Sequence, residues 1–551
     1  MNGQRWRGRL PVAGALLALM LLVAACGGAP AGQGSETGGG GASEEYGPQE
    51  TIIEAGDISD AVTLDPQVAF EFSSVSADSL MYQRLVKFPL GDMTKPLGDA
   101  AESWDVSEDG LHWTFHLKKG LKFSSGNELT SADVVYTFER VVHIPKDPAS
   151  WLITQMGITA DNVDQLVTAP DPYTVKIDLP QPFSPGAFLS VLTNPVAGIV
   201  DSKTVKAHET NGDYGSGWLF NHSAGSGPYM LKNWTKDVQM EFVPNPHYSG
   251  EAPTIKHVIW KNAPETATRL DMLKRGEADI ADGLSAAQVE TVQNDPNFKV
   301  YKTPDESMTY LGMDVKNVPC FAKAECRQAV KWAIDYDGIV DKLLHGFGQP
   351  LQGVIPRGIF GYTDKKYFTQ DLAKAKELLA KAGYPNGFDV EMLVPNGTLV
   401  GGVPASSVAN VIKSNLEKIG IRVTIRQMEA GQMYTEYREH RAQLILANWG
   451  MDYPDPQDFA GPFGDYTQQS LIWRLQDEDQ ELSQLVQQAA KLQNTPERQR
   501  LYDQINDLEA AQGPFAIIYQ PDVVFVYSAK LQNFNYDHVN GVGYWQIVKG
   551  Q

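Results

Sequence analysis

Cysteine is scarce in this chain, which has three in 551 residues. No further Cys or His pair stands near Cys320 and Cys326, so the four ligands of a structural zinc site are missing and no metal site is predicted. After the N-terminal region, no apolar run reaches the roughly 20 residues that a membrane-spanning helix needs. These absences argue against a zinc-stabilised domain and against a bundle of membrane-spanning helices.

Basic residues are also in short supply, with 46 Lys and Arg against 67 Asp and Glu and a formal net charge of −21. A strongly acidic surface repels nucleic acid and anionic lipid, so no nucleic-acid partner is predicted. The chain has no Gly-x-Ser-x-Gly elbow, no His-Glu-x-x-His pair and no Walker loop ending in Lys-Ser or Lys-Thr. These absences argue against an enzyme, and neither catalytic residues nor a cofactor is predicted.

Three arginines within the first nine residues precede an apolar run that ends at Ala25, and Cys26 follows directly. This order is typical of a secretory signal peptide over residues 1–25, and the apolar run is too short for an ordinary transmembrane helix. The sequence around Cys26 resembles a bacterial lipobox, which implies that Cys26 is acylated after cleavage. A plain signal peptide with an incidental cysteine is the alternative.

Residues 26–49 consist mostly of small and polar residues, which bury too little apolar surface to offset chain entropy. They are predicted to form a flexible, lipid-anchored linker. The part that follows is too long for a single core and predicts two or three domains. Cys320 and Cys326 are expected to form a structural disulfide, because an exported protein matures in an oxidising environment.

The folded part has a mixed α/β pattern. Apolar and polar residues alternate from Leu111 to Leu117, which predicts a half-buried strand. Helices are predicted after the Thr130 capping box, from Asp371 to Gly383, over residues 406–419 and over residues 480–512. Strands directly before and after the third of these helices predict a βαβ unit and a partly parallel sheet.

Several segments together carry a resemblance to a known family. Residues 101–140 read AESWDVSEDGLHWTFHLKKGLKFSSGNELTSADVVYTFER. The other segments are Leu64-Asp65-Pro66, Met81-Tyr82-Gln83-Arg84-Leu85-Val86, Gly225-Ser226-Gly227-Pro228-Tyr229, Asn245-Pro246-His247-Tyr248, Arg327-Gln328-Ala329-Val330-Lys331-Trp332-Ala333-Ile334-Asp335, Ala382-Gly383-Tyr384 and Trp449-Gly450-Met451-Asp452-Tyr453-Pro454-Asp455-Pro456. In this order they resemble bacterial extracellular solute-binding proteins of ABC importers, in the peptide-, dipeptide- and nickel-binding class.

The resemblance implies an α/β, periplasmic-binding-protein-like fold with two lobes, a hinge and an additional domain. The expected ranges are 50–90, 225–310 and 515–551 for lobe I, 91–224 for the additional domain and 311–514 for lobe II. Closure about the hinge would trap a ligand between the lobes. A ligand favours the closed form only by binding it better than the open form.

In peptide-binding relatives, an aspartate that follows a tryptophan pairs with the ligand's α-ammonium group, and the matching residue here is Asp452. An ammonium removed from water needs a buried anion and hydrogen bonds. Trp449 and Tyr453 would be wall residues of the cleft. The alternative for Asp452 is that its side chain only caps a turn. The alternative for Trp449 is that it is an ordinary core aromatic.

Phe70, Glu71 and Phe72 occupy an early loop that touches ligand in relatives, and core packing is the alternative for the two phenylalanines. The same resemblance places Tyr310 and Met313 at the crossover between the lobes, and both are expected to lie at the ligand site.

One departure from the family concerns the ligand's carboxylate. Dipeptide-binding relatives hold it with an arginine that would align near Ser406 and Ser407, but no Arg occurs between Gly387 and Lys413. Longer peptides, held through their main chain, suit the neutral loop at residues 401–404 better. Because the same scaffold elsewhere holds nickel complexes or sugars, a non-peptide solute is the alternative.

The resemblance therefore implies a non-catalytic, lipid-anchored protein that captures oligopeptides by hinge closure and delivers them to an ABC permease. The expected partners are a peptide ligand, the permease complex and the membrane, the last through the lipid anchor. The protein is expected to be a monomer at the outer face of the cytoplasmic membrane, on the periplasmic side of the cell envelope. A secreted lipoprotein hydrolase or a signalling receptor on the same scaffold is the alternative class of function.

Overall fold

The structure is a computed structural model that describes residues 46–144, 149–181 and 183–550. The predicted signal peptide, Cys26 and nearly all of the predicted linker lie outside the described residues. From Tyr46 onward the chain forms one compact unit with mixed α/β structure.

The strands of the described residues range from two-residue bridges to a strand of 14 residues. They are β1 Thr51–Gly56, β2 Val86–Lys87, β3 Leu97–Gly98, β4 Ala101–Val106, β5 His112–Leu117, β6 Val167–Asp171, β7 Thr174–Asp178, β8 Tyr229–Thr235, β9 Gln239–Pro244, β10 His257–Asn262, β11 Ile280–Asp282, β12 Phe298–Pro304, β13 Met308–Met313, β14 Gly348–Pro350, β15 Phe388–Pro395, β16 Ile421–Met428, β17 Leu444–Trp449, β18 Phe515–Ser528, β19 Leu531–Gln532, β20 Tyr536–Asp537, β21 Gly541–Val542 and β22 Val548–Lys549.

The α-helices are mostly short. They are α1 Phe72–Met81, α2 Ser131–His143, α3 Trp151–Thr154, α4 Val163–Leu166, α5 Pro185–Thr193, α6 Ser202–Ala207, α7 Ser216–Leu219, α8 Thr266–Arg275, α9 Ala286–Glu290, α10 Ala324–Ala333, α11 Tyr336–Leu343, α12 Leu372–Lys381, α13 Ala405–Glu417, α14 Ala430–Arg438, α15 Gln457–Gly464, α16 Leu471–Arg474, α17 Gln480–Ala489 and α18 Pro496–Gln512. None of those in the described ranges is both long and apolar enough to cross a membrane.

The long strand β18 joins the two halves of the largest sheet, whose order is β16-β15-β17-β13-β18-β11-β1-β10-β9-β8. Its first half pairs with β13 and β14, and its second half pairs with β11 and β12. β15 pairs in parallel with both β16 and β17, and β1 pairs in parallel with β10 and β11. Each half therefore contains parallel strands, whose carboxyl ends are the usual place for a ligand site.

A second sheet, in the order β4-β5-β7-β6, has its own hydrophobic cluster. In β5, Trp113, Phe115 and Leu117 are buried and alternate with more exposed residues, as predicted for a strand with one covered face. Trp113 packs against Phe188 of α5, with ring centroids 4.5 Å apart. This contact brings α5 onto the sheet and so positions the segment that follows it.

The predicted helices are confirmed. Thr130 and Asp133 form the capping box of α2, and Asp371 caps α12 by accepting two backbone hydrogen bonds. α13 connects the parallel pair β15 and β16, as the predicted βαβ unit requires. The predicted helical region near the C-terminus is split into α17 and α18, and the second of these begins at Pro496, where the missing N–H costs no helical hydrogen bond. Cys320 and Cys326 form a disulfide with Cα atoms 5.7 Å apart.

Candidate functional site

Two adjoining cavities lie where β1, α1, β17 and the C-terminal segment meet. The first has a volume of about 580 Å³ and the second about 480 Å³, and they share Asp60, Phe72, Val75 and His538. The first is lined by Asp60, Ala69, Phe70, Glu71, Phe72, Val75, Thr193, Asn194, Pro195, Asn448, Trp449, Gly450, Met451, Asp452, Pro454, His538 and Val539. Together the cavities are large enough for a ligand of many non-hydrogen atoms.

Asp452 lines the first cavity, three residues after the end of β17. Its backbone N–H donates to the carboxylate of Asp458 at 2.7 Å, and its carbonyl accepts from Nδ2 of Asn194 at 3.2 Å. Nothing in the described ranges donates a hydrogen bond to the Asp452 carboxylate or forms an ion pair with it. Burial raises the pKa of this carboxyl group to about 6, because the charged form is poorly solvated there.

Asp458 and Asp455 have a different role from Asp452. Burial raises the pKa of Asp458 well above its usual range, and its carboxylate accepts the N–H of Asp452. Asp455 accepts the N–H of Gln457 at 2.9 Å. These two side chains cap turns of the loop, a common role for Asp in turns. Asp452, whose carboxylate caps nothing, is left to face the cavity.

Phe70 and Phe72 supply apolar surface at the mouth of the site. Phe70 is 42% exposed and Phe72, the first residue of α1, is 77% exposed, so neither is a core residue. Glu71 between them also lines the first cavity. Burial of these two exposed phenylalanines against an apolar ligand group would contribute favourable free energy to binding.

Trp449 is both a wall residue of the cleft and an aromatic packed in the core, the two roles that the sequence leaves open. It lines the first cavity, yet its Nε1 donates to the carbonyl of Asp458 at 3.0 Å and its ring packs edge-on against Phe463. The indole is therefore held in one orientation before any ligand binds. A wall residue that is fixed in this way costs little entropy on binding.

Three predicted ligand contacts need correction. Tyr453 is buried in the hydrophobic cluster of the β4-β5-β7-β6 sheet and does not line either cavity. Tyr310 and Met313 lie in β13, which is buried along its whole length between β17 and β18. Because both neighbours of β13 are strands and both of its faces are covered, these two side chains belong to the core.

The cavities also contain residues that the sequence does not single out. Asn194 follows α5, and His538 lies near the C-terminus, more than 80 residues from Asp452. The imidazole of His538 lies between two carboxylates, with Nε2 3.3 Å from Asp305 and Nδ1 2.5 Å from Glu306. No local pattern marks either residue, because both reach the site through long-range packing.

His538, Asp305 and Glu306 have donor atoms within 4.8 Å of one another, as a metal site would need. Although burial lowers the pKa of His538, the two carboxylates outweigh it and raise the pKa to about 9. The charged imidazole between the two carboxylates forms an ion triad, and a metal would have to displace its proton to bind there.

The second cavity is acidic and aromatic. Glu54 accepts a hydrogen bond from the hydroxyl of Tyr544, which in turn accepts from Nε1 of Trp260 at 2.8 Å. Burial and the nearby Asp282 raise the pKa of Glu54 to about 8. Burial also raises the pKa of Asp282 to about 6, although Arg269 lies 3.0 Å away. The cavity therefore contains carboxyl groups whose neutral forms burial favours.

Comparisons with known proteins show the family of the chain. The family model for bacterial extracellular solute-binding proteins, family 5, matches residues 95–470. The probable D,D-dipeptide-binding periplasmic protein DdpA of Escherichia coli K12 is 31% identical over 495 residues, covering 88% of this chain and 92% of DdpA. The glutathione-binding protein GsiB of the same strain is 27% identical and covers 90% of this chain and 93% of GsiB.

A solved structure adds the fold. The ABC transporter-associated periplasmic binding protein DppA of Helicobacter pylori, in complex with the peptide STSA, superposes with a TM-score of 0.74 at 26% identity. The match covers 91% of this chain and 98% of DppA, so the predicted two-lobed fold of periplasmic binding proteins is confirmed. The relatives are binding proteins and not enzymes. The chain therefore belongs to family 5 of the bacterial extracellular solute-binding proteins, the binding components of ABC transporters.

Proposed function

We propose that this protein captures oligopeptides in the two adjoining cavities and delivers them to an ABC permease. The observation that carries the proposal is the Asp452 carboxylate, which is half-buried, lines the first cavity and has no partner among the described residues. A ligand with an α-ammonium group would supply the missing charge and hydrogen bonds.

The walls support a peptide rather than a small ion. Phe70, Phe72 and Trp449 offer aromatic surface to side chains, while Asn194 and Asn448 offer amide groups to a peptide main chain. The names of two relatives, a D,D-dipeptide-binding protein and a protein solved with the peptide STSA, point to the same class of ligand.

The charge of the lining bears on peptide length. Neither cavity has a Lys or Arg among its lining residues in the described ranges, and His538 is already paired with two carboxylates. A ligand held by both ends, as a dipeptide would be, lacks a cation for its C-terminal carboxylate. The proposed ligands are therefore longer peptides, bound at the N-terminus and through the main chain.

The proposed capture step is hinge closure between lobes at residues 50–90, 225–310 and 515–551 and at residues 311–514, with an additional domain at 91–224. β18 passes between the two proposed lobes: its first part pairs with β14 of residues 311–514, and its second part pairs with β12 of residues 225–310. The first residues of the range 515–551 therefore join the sheet of the second lobe. The proposal further includes acylation of Cys26, a flexible linker over 26–49 and a monomer held at the outer face of the cytoplasmic membrane.

The test is calorimetric titration with a tetrapeptide in its free and N-acetylated forms. Wild-type protein should prefer the free form, and Asp452→Ala should weaken its binding by roughly 2–5 kcal/mol. Asp389→Asn, which removes an exposed carboxylate that lines neither cavity, is the control and should leave the affinity unchanged. Equal affinity for the free and the N-acetylated peptide would show that Asp452 does not bind the α-ammonium group. If no peptide binds and native mass spectrometry finds one non-peptide mass, the ligand class is wrong.

A further inference from the structure

A third cavity, of about 300 Å³, lies between the end of α1, the segment that follows it and the C-terminal segment near Trp545. It shares no lining residue with the two cavities of the candidate site. Its volume is at the lower end of the range for ligand sites, so it suits a molecule of a few non-hydrogen atoms.

Arg84 lines this cavity and is only 3% exposed. Its Nε and Nη1 have no hydrogen-bond partner among the described residues, while its backbone N–H donates to Asp99 at 2.9 Å. Burial lowers the pKa of Arg84, although Asp99 opposes the effect. Two buried N–H groups of a guanidinium that lack partners are costly unless something accepts their hydrogen bonds.

The nearby carboxylates are already engaged. Asp99 accepts from the backbone of Arg84 and from Nε2 of Gln83 at 3.2 Å, and Nζ of Lys87 lies 3.2 Å from it. Asp537 accepts from the backbone N–H groups of Gly91, Val539 and Asn540. The lining has two cations, Arg84 and Lys87, and the carboxylate of Asp99, while the charge of Asp537 also acts on Arg84 from outside the lining.

We propose that this cavity is a binding site for a small free oxyanion, with a carboxylate or phosphate group held by the Arg84 guanidinium. The planar fork of a guanidinium matches two oxygens of such a group, which would accept the hydrogen bonds that Arg84 lacks. Tyr248, which also lines the cavity, offers a hydroxyl as a further donor. The site is separate from the proposed peptide cleft, so it stands whether or not peptides are the ligand.

The test is calorimetric titration of the purified full chain with inorganic phosphate and with acetate, in a chloride buffer of constant ionic strength. One saturable site is expected for at least one anion. Arg84→Gln should weaken anion binding at least tenfold. Arg84→Lys should weaken it less, because lysine keeps the positive charge although it lacks the paired N–H donors of the guanidinium. The control is Lys232→Gln, which removes an exposed cation and should leave binding unchanged.

Two results would overturn the proposal: no saturable binding of either anion to the wild type, or equal binding to wild type and Arg84→Gln. Displacement of the anion by a saturating peptide would also overturn it, because the anion would then lie in the cleft. If Arg84→Gln does not fold, wild-type crystals soaked in selenate decide the question. Anomalous density within hydrogen-bond distance of Arg84 is expected, and water alone at that position would contradict the site.

Discussion

The guanidinium of Arg498 and the carboxylate of Asp455 form a two-pronged ion pair, with N–O distances of 2.7 and 2.8 Å, and both side chains are almost completely buried. Arg498 also donates to the hydroxyl of Ser184 at 3.0 Å. Three residues before Asp455 stands Asp452, and the buried Tyr453 lies between them. The loop that presents Asp452 to the cavity is therefore anchored by α18 on one side and by the start of α5 on the other.

Asp455→Asn should destabilise the protein by about 3–5 kcal/mol, because it leaves the buried Arg498 guanidinium without a counter-charge. The measurement is equilibrium unfolding in urea. Asp389→Asn is the matched control, since Asp389 pairs with Arg422 at an 80% exposed surface position, where solvent screens the pair, and should change stability far less. A loss for Asp455→Asn no larger than for the control would contradict the anchoring role.

Gly186 of α5 should be sensitive to the smallest added side chain. A Cβ at this position would lie 2.7 Å from Oδ2 of Asp455 and 3.0 Å from Nη1 of Arg498. Gly186→Ala should therefore cost about 1–3 kcal/mol of stability and weaken peptide binding by shifting the loop. Gly431→Ala in α14, where a Cβ meets nothing within 4 Å, should be neutral or slightly stabilising. Identical melting temperatures and affinities for the two variants would refute the prediction.

Peptide affinity should depend on pH through Asp452. With a pKa of about 6, this carboxyl group is mostly protonated at pH 5 and mostly ionised at pH 7, while the α-amino group of the peptide stays charged. Affinity for a free peptide should therefore rise about tenfold from pH 5 to pH 7. Titration calorimetry over this range checks it, and Asp452→Asn should flatten the profile. A wild-type profile that is already flat would exclude ammonium binding by this carboxylate.

His538 should stabilise the fold in a pH-dependent way. Its pKa is about 9 in the folded state, well above the ordinary value of 6.5, because Asp305 and Glu306 stabilise the charged form. This contribution of about 3 kcal/mol is fully present below pH 6.5 and is lost as pH rises through about 9. The difference in unfolding free energy between wild type and His538→Asn should shrink over that interval. A constant difference from pH 6 to pH 10 would show that the imidazole is not charged in the fold.

Local patterns in the sequence predicted much of the secondary structure. The alternation in β5, the capping box of α2 and the Asp371 cap of α12 depend on neighbours within a few residues, so no long-range contact is needed to recognise them. The family segments predicted the two-lobed fold only as a set, because the resemblance rests on their order along the chain.

The candidate site was only partly predictable. Phe70, Glu71, Phe72, Trp449 and Asp452 do line the first cavity. Tyr310 and Met313 do not, because the pairing of β13 with strands on both sides is a contact between distant parts of the chain. Asn194 and His538 reach the cavity from other distant segments, and no pattern in their own neighbourhood indicates that.

Asp452 and Tyr453 show what the sequence determined and what only the tertiary structure decided. The sequence by itself determined the family, the α/β class, the main helices and strands, and the loop in which an aspartate could meet an ammonium group. Only the tertiary structure decided which side chain of that loop faces the cavity: Tyr453 is drawn into the core beside α5, and Asp452 is left without a partner. The reason is physical, since burial depends on every segment that packs against a residue, and those segments are far away along the chain.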